Sequence, residues 1–154
     1  MPNWMEGSLK LRGKSDDILR FLNEGLKNKP EIVEETEKYY DIYFNAPDCE
    51  QLIYILDTNR AFVNSHTVSE ITLDKGDNVI LCISVQQAWD FRVEDWIEIA
   101  KKYNLDIRLF GIEGFGCLMH QIDILNGEAE LDECFKCSSY ESFLWNCPFP
   151  WMGG

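Results

Sequence analysis

The sequence predicts an α+β domain in which an antiparallel sheet carries two helices on one face. Three observations predict it. Several short segments alternate apolar and polar residues, the period of a strand, and two longer ones place apolar residues at steps of three and four, the period of a helix. Turn-forming clusters such as Lys75-Gly76-Asp77-Asn78 and Asn126-Gly127 fall between them, where strands must reverse.

In chain order, residues 7–13 alternate, with Leu9 and Leu11 on one side and Ser8, Lys10 and Arg12 on the other, so they predict a half-buried strand. Ser15 is placed to cap a helix whose first turn carries Asp16 and Asp17 and whose stripe is Ile18, Leu19, Phe21, Leu22 and Leu26. Residues 28–58 read as an acidic insertion covering the domain edge, with Pro30 starting a helix and Asn45-Ala46-Pro47-Asp48 forming a turn. Residues 52–56 are a short apolar run of ambiguous type. Residues 60–73 predict a strand bent near Asn64-Ser65, joined as an antiparallel hairpin to the strand at 79–89. In that second strand Leu81, Ile83 and Val85 share one face while Ile80 and Cys82 share the other, as a central strand requires; Cys82 reads as packing.

Residues 90–104 predict the second helix, with Val93, Trp96, Ile97, Ala100 and Tyr103 toward the core. A strand at 107–112 follows, broken by Gly114-Phe115-Gly116, then an alternating strand at 117–125 and a return at 129–135. The order strand, helix, strand, strand, helix, strand defines a ferredoxin-like βαββαβ sandwich within one domain spanning 1–154, extended by a hairpin and an aromatic tail over 117–154.

The opening Met1-Pro2-Asn3-Trp4, the strand Gly7-Ser8-Leu9-Lys10-Leu11, Ala88-Trp89 leading into Trp96-Ile97-Glu98-Ile99-Ala100, and the later Ile112-Glu113-Gly114-Phe115-Gly116 and Asn126-Gly127-Glu128 form a set. Together they resemble the YubB-type ferredoxin-like proteins of plasmids, phages and other mobile elements. Met5 stands where that family often has Cys, and Asn64-Ser65-His66-Thr67 occupies the region of its Trp-Gly-Thr-Lys-Trp-like stretch. The resemblance implies a fold and a genomic setting. The family has no established activity, so it implies no chemistry.

The chain has 154 residues, 45% of them hydrophobic, enough for a core that needs no staples. Its net charge of −13 sets a field that repels phosphate backbones and anionic membrane surfaces, which disfavours direct nucleic-acid binding and favours a basic protein partner. No apolar run approaches about 18 residues, and the N-terminal sequence has no signal-peptide pattern, so the expected compartment is the cytoplasm, with reduced cysteines.

No catalytic residue, metal-ligand set or cofactor is assigned. Cys134-Phe135-Lys136-Cys137 has the spacing of half a zinc site, with Cys147, His120 or Cys117 needed to complete it; free thiols are the plainer explanation. His66 and His120 stand in no metalloprotease spacing, and a Cys–His dyad is a combination that any chain with such residues permits. Gly111-Ile112-Glu113-Gly114-Phe115-Gly116 looks like a phosphate loop but lacks the helix that must follow, so it reads as a bend between strands.

Two features point to binding. Glu31, Glu34, Glu35 and Asp41 would lie near one stripe of a helix begun by Pro30, with Glu37 beside them. Trp4 and Trp151 lie near the termini, either folded back and packed or presented to a partner. The expected function is a non-enzymatic protein-binding module, extending to an inhibitor of a nucleic-acid-handling host protein such as a defence nuclease. A small enzyme or ligand sensor on the open sheet face, and a structural zinc protein, are the alternatives.

Overall fold

The computed structural model describes residues 3–44 and 52–146. Strand β1 (Trp4–Gly13) leads into helix α1 (Ser15–Glu24), then β2 (Glu31–Glu35), β3 (Tyr39–Tyr43), β4 (Leu52–Tyr54), β5 (Ala61–Asn64), the single turn α2 (Ser65–Val68) and β6 (Glu70–Asp74). The second half runs β7 (Val79–Ala88), α3 (Val93–Tyr103), β8 (Asp106–Glu113), β9 (Leu118–Leu125), β10 (Glu128–Lys136) and α4 (Tyr140–Asn146). The fold is mixed α+β, with a seven-stranded antiparallel sheet in the order β10-β9-β8-β1-β7-β5-β4 and a three-stranded one in the order β2-β3-β6.

Period-two patterning decides the large sheet. Met5, Leu9 and Leu11 of β1, Leu81, Ile83 and Val85 of β7, and Ile107 and Leu109 of β8 are buried, while Lys10, Arg12, Ile80 and Cys82 point to the open face. Each fully buried aliphatic side chain is worth about 1.5–3 kcal/mol relative to exposure, so a one-residue slip of any of these strands is excluded. Ile18, Phe21 and Leu22 of α1 and Trp96, Ile99, Ala100 and Tyr103 of α3 cover the same face. The rings of Phe21 and Tyr103 meet edge-on at 5.4 Å, so the two helices lie side by side. Asn104, in the left-handed conformation, ends α3, and Leu105 N–H closes back to Ala100 O at 3.0 Å.

Gly7 and Gly111 face each other across β1 and β8. A Cβ on Gly7 would lie 1.9 Å from Phe110 O, and one on Gly111 would lie 2.5 Å from the Phe91 ring. The glycine pair lets the strands close up and makes room for Phe91, which is buried beneath the site described below.

Several expectations are corrected. Residues after Pro30 form strand β2, not a helix: β2 pairs with β3, whose Tyr40 and Ile42 join the core, and that burial outweighs local propensity. The strand expected over 60–73 is split. Asn64 accepts the His66 N–H at 2.9 Å and starts α2, which carries the chain out of the large sheet. As a result β5 pairs with β7 but β6 pairs with β3, and the expected hairpin between 60–73 and 79–89 does not form as such. Ser15 is the first residue of α1, not its cap; its Oγ accepts Gly76 N–H at 3.2 Å and ties the helix to the turn before β7. Ile99 takes the buried place expected of Ile97, which is half-buried, and Cys82 is exposed instead of packed. Residues 52–54, ambiguous by sequence, are the edge strand β4. No helix among the described residues is long and apolar enough to cross a membrane.

Candidate functional site

The acidic residues singled out by sequence lie on or beside the small sheet. In β3 and β6 the burial alternates, with Tyr40, Ile42, Ile71 and Leu73 inward and Tyr39, Asp41, Tyr43, Glu70, Thr72 and Asp74 outward. Register places Glu31 opposite Tyr43 and Glu34 opposite Asp41, so the outer face carries Glu31, Glu34, Asp41, Glu70 and Asp74 around Tyr39 and Tyr43. None of these outward positions is Lys or Arg. Thr72 Oγ1 donates to Asp41 Oδ1 at 2.8 Å and Tyr43 OH donates to Glu70 Oε1 at 3.1 Å. The hydrogen bond to Glu70 and the Glu70 charge, then burial and the charges of Asp41 and Glu34, hold the Tyr43 hydroxyl pKa above its usual value. Glu35 is drawn aside to Lys75 at 2.8 Å, and Glu37 is exposed in the turn before β3.

Trp4 packs on the open face of the large sheet, edge-on to Phe62 at 5.8 Å with the Arg60 guanidinium over its ring. Trp151 lies outside the described residues.

A second constellation is only half legible in the sequence, which offers His120 and Cys134 as candidate zinc ligands but names neither Asp90 nor Asp132. His120, on β9, is 5% exposed. Its Nδ1 lies 2.6 Å from Asp90 Oδ1 and its Nε2 lies 2.7 Å from Asp132 Oδ1. Asp90 follows β7, and its Oδ1 also accepts Phe91 N–H at 2.7 Å. Trp89 just before it sits at φ 74, a backbone region that bulky residues rarely enter, and the chain reverses there so that Asp90 meets His120. Cys134 of β10 stands opposite His120 in the strand pairing, with its Sγ 4.0 Å from Asp90 Oδ2. No protein-family model, curated protein or solved structure matches the chain.

The electrostatics of this cluster follow from its partners. Burial pushes the His120 pKa down, but hydrogen bonds to Asp90 and Asp132, with the charges of both, outweigh it and raise the value above the ordinary 6.5. A carboxylate at each ring nitrogen favours the doubly protonated imidazolium, in which both nitrogens donate. The Cys134 thiol is pushed up by burial and then by the Asp90 and Asp132 charges, so it keeps its proton at neutral pH. A nucleophilic cysteine needs the opposite environment, so the His120–Cys134 pair is not poised for covalent catalysis.

The glycine turn and the Cys-x-x-Cys pair have local roles, while Cys147 lies outside the described residues. Glu113 is buried and accepts the N–H groups of Phe115 (2.9 Å) and Gly116, so the glycine turn has already spent donors that a phosphate would need. Cys134 faces the His120 cluster, while Cys137, beyond the end of β10, donates its backbone N–H to Cys117 O at 2.9 Å. Of the two cysteines in the Cys-x-x-Cys spacing, Cys134 joins the Asp90–His120 group and Cys137 does not. A cleft of about 510 Å³ at the other end of β1 is lined by Arg12, Lys14, Asp77, Lys101 and Asn104, among others, and shares no residue with the His120 cluster.

The signal that could have found the cluster is His120 itself. It occupies an inward position in line with Ile122 and Ile124, and an imidazole placed in a core must find partners. No spacing rule names those partners, because Asp90 and Asp132 lie 30 and 12 residues away.

Proposed function

We propose that this chain is a non-enzymatic protein-binding module that engages a basic protein through the outer face of β2, β3 and β6. The observation that carries the reading is the segregation of charge. Glu31, Glu34, Asp41, Glu70 and Asp74 share one sheet face without a cationic neighbour on it, and Glu34 stands directly across from Asp41. Like charges directly opposite on a sheet destabilise it, and a cationic surface laid over them removes that penalty. Tyr39 and Tyr43 between the acids supply rigid, amphipathic contact area of the kind that anchors interfaces. A compact anionic face also fits a basic groove built for nucleic acid, which extends the reading to inhibition of a nucleic-acid-handling protein.

The scaffold for this face is read as a ferredoxin-like unit made of β1, α1, β5, β7, α3 and β8. The antiparallel order β8-β1-β7-β5 supports it, as does the packing of α1 against α3. With the resemblance of the opening strand, it favours kinship with the mobile-element family.

Charge reversal tests the reading. In Glu31→Lys/Glu34→Lys/Asp41→Lys, association with a basic partner captured from the native host is expected to slow about tenfold or more, mainly in on-rate, and raised salt is expected to mimic this on wild type. Binding that ignores both the substitutions and salt would show that the acids serve solubility alone.

A further inference from the structure

The geometry points to a binding site for a thiophilic divalent cation of the zinc class, formed by the Asp90 carboxylate, His120 Nδ1 and Cys134 Sγ. A ring nitrogen of His120, a carboxylate oxygen of Asp90 and Cys134 Sγ lie within 4.8 Å of one another, near enough to converge on one ion with small rotations of Asp90 and Cys134, and Nδ1 is the nitrogen that faces Asp90.

The fold prepares the site unequally. His120 is buried, and its strand is paired on both sides, to β8 and to β10, so the imidazole is a fixed donor. Asp90 is half-buried and Cys134 exposed, so the ion's approach is from their side. Asp132 completes the arrangement from behind: it accepts from His120 Nε2, so that once Nδ1 gives up its proton to a metal, Nε2–H stays oriented by a carboxylate. A ligating histidine held in this way by a carboxylate is a recurrent support of metal sites.

The donor set selects the ion. Thiolate, imidazole and carboxylate together suit a borderline-soft cation, whereas calcium and magnesium prefer oxygen donors throughout. Three protein ligands leave the fourth tetrahedral position to water or to another ligand, the pattern of exchangeable and catalytic sites, in contrast to closed structural ones. Binding releases the Nδ1 proton of the imidazolium and the thiol proton of Cys134, which leaves a thiolate and a neutral imidazole on the ion. The site lies on the large sheet, apart from the acidic face of β2, β3 and β6, and does not depend on the proposed binding function.

Cobalt titration of the reduced, chelator-treated full chain tests it. A 1:1 complex is expected, with tetrahedral visible bands and a near-ultraviolet thiolate-to-cobalt absorption, all displaced by Zn2+. Cys134→Ser, at an exposed position that leaves the core intact, is expected to abolish the thiolate absorption. Asp132→Asn, which alters the carboxylate behind His120 Nε2, is expected to weaken binding about tenfold to a hundredfold, and Asp90→Asn, which removes a ligating carboxylate, at least as much. Cys137→Ser and Cys82→Ser are expected to leave the spectrum unchanged. Absence of the thiolate band in wild type, its survival in Cys134→Ser, or its loss in Cys137→Ser would each overturn the assignment.

Discussion

Asp132 Oδ1 lies 2.7 Å from His120 Nε2 and favours the charged form of a buried imidazole. Asp90 does the same at Nδ1, and the two together raise the folded-state pKa of His120 against the effect of burial. A raised folded pKa means that the native state holds the proton more tightly than the unfolded chain. The stabilisation is therefore complete below the unfolded value of about 6.5 and is lost as pH rises through the folded one. In chelator, the melting temperature is expected to fall as pH climbs above this point, with a slope of at most about 1.4 kcal/mol per pH unit for one proton. His120→Gln is expected to flatten that part of the profile. A wild-type profile that rises across the same window contradicts the imidazolium assignment.

Trp96 is fully buried and donates its indole N–H to Gln87 Oε1 at 3.0 Å. Gln87, itself buried, also accepts Arg92 N–H at 3.2 Å and gives its amide to Asn59 O and Asp95 Oδ2, so one side chain fixes the start of α3. Trp96→Ala is expected to lower stability by about 3–5 kcal/mol, as large aromatic truncations in cores do. Trp96→Phe keeps much of the volume but removes the donor, and is expected to cost about 1–3 kcal/mol. Urea unfolding midpoints distinguish the two; a near-neutral alanine variant shows that α3 presents another face to the sheet.

Gly7→Ala drives a methyl group into the Phe110 carbonyl across the β1–β8 pairing, a contact that only a shift of backbone relieves. The loss is expected to exceed the roughly 1–3 kcal/mol usual for an overpacked core side chain. Gly111→Ala meets the Phe91 ring instead, and that ring stands 6.1 Å from His120. Its expected signature is a change in the His120 titration followed by NMR, alongside a smaller loss of stability. Equal stability losses with an unmoved His120 titration exclude this coupling.

Glu34 and Asp41 repel across β2 and β3, so relieving the pair separates stability from binding. Glu34→Gln is expected to stabilise the free protein by a few tenths of a kcal/mol up to about 1 kcal/mol. The gain shrinks at high salt, where the Debye length falls to a few ångströms. The same substitution is expected to weaken association with a basic partner. If the melting temperature drops instead, Glu34 has a favourable contact that the charge argument omits.

Much of the secondary structure was legible because it is written locally. The alternation of Leu9 with Lys10 and Leu11 with Arg12, or of Leu81, Ile83 and Val85 against Ile80 and Cys82, places a strand whichever neighbour it later finds. Asn126-Gly127 likewise made its turn legible: both residues adopt positive φ, and β9 and β10 pair around them. The acid-rich stretch after Pro30 was misread because charge and a helix-start signal say nothing about Tyr40 and Ile42 waiting across the strand pairing to be buried. The hairpin expected between 60–73 and 79–89 failed similarly, since one turn of helix at Ser65–Val68 reassigns β6 to another sheet.

By itself, then, the sequence determined the strands, helices and turns whose signal lies within a few neighbouring residues, together with the excess of acid. Tertiary structure decided which strand pairs with which, gathered Glu31, Glu34, Asp41, Glu70 and Asp74 onto one face, and brought Asp90 and Cys134, 44 residues apart, to the same imidazole. The physical reason is range. Hydrophobic period acts through a residue's immediate neighbours, whereas charge segregation and ligand convergence exist only once burial of the core has closed the chain on itself.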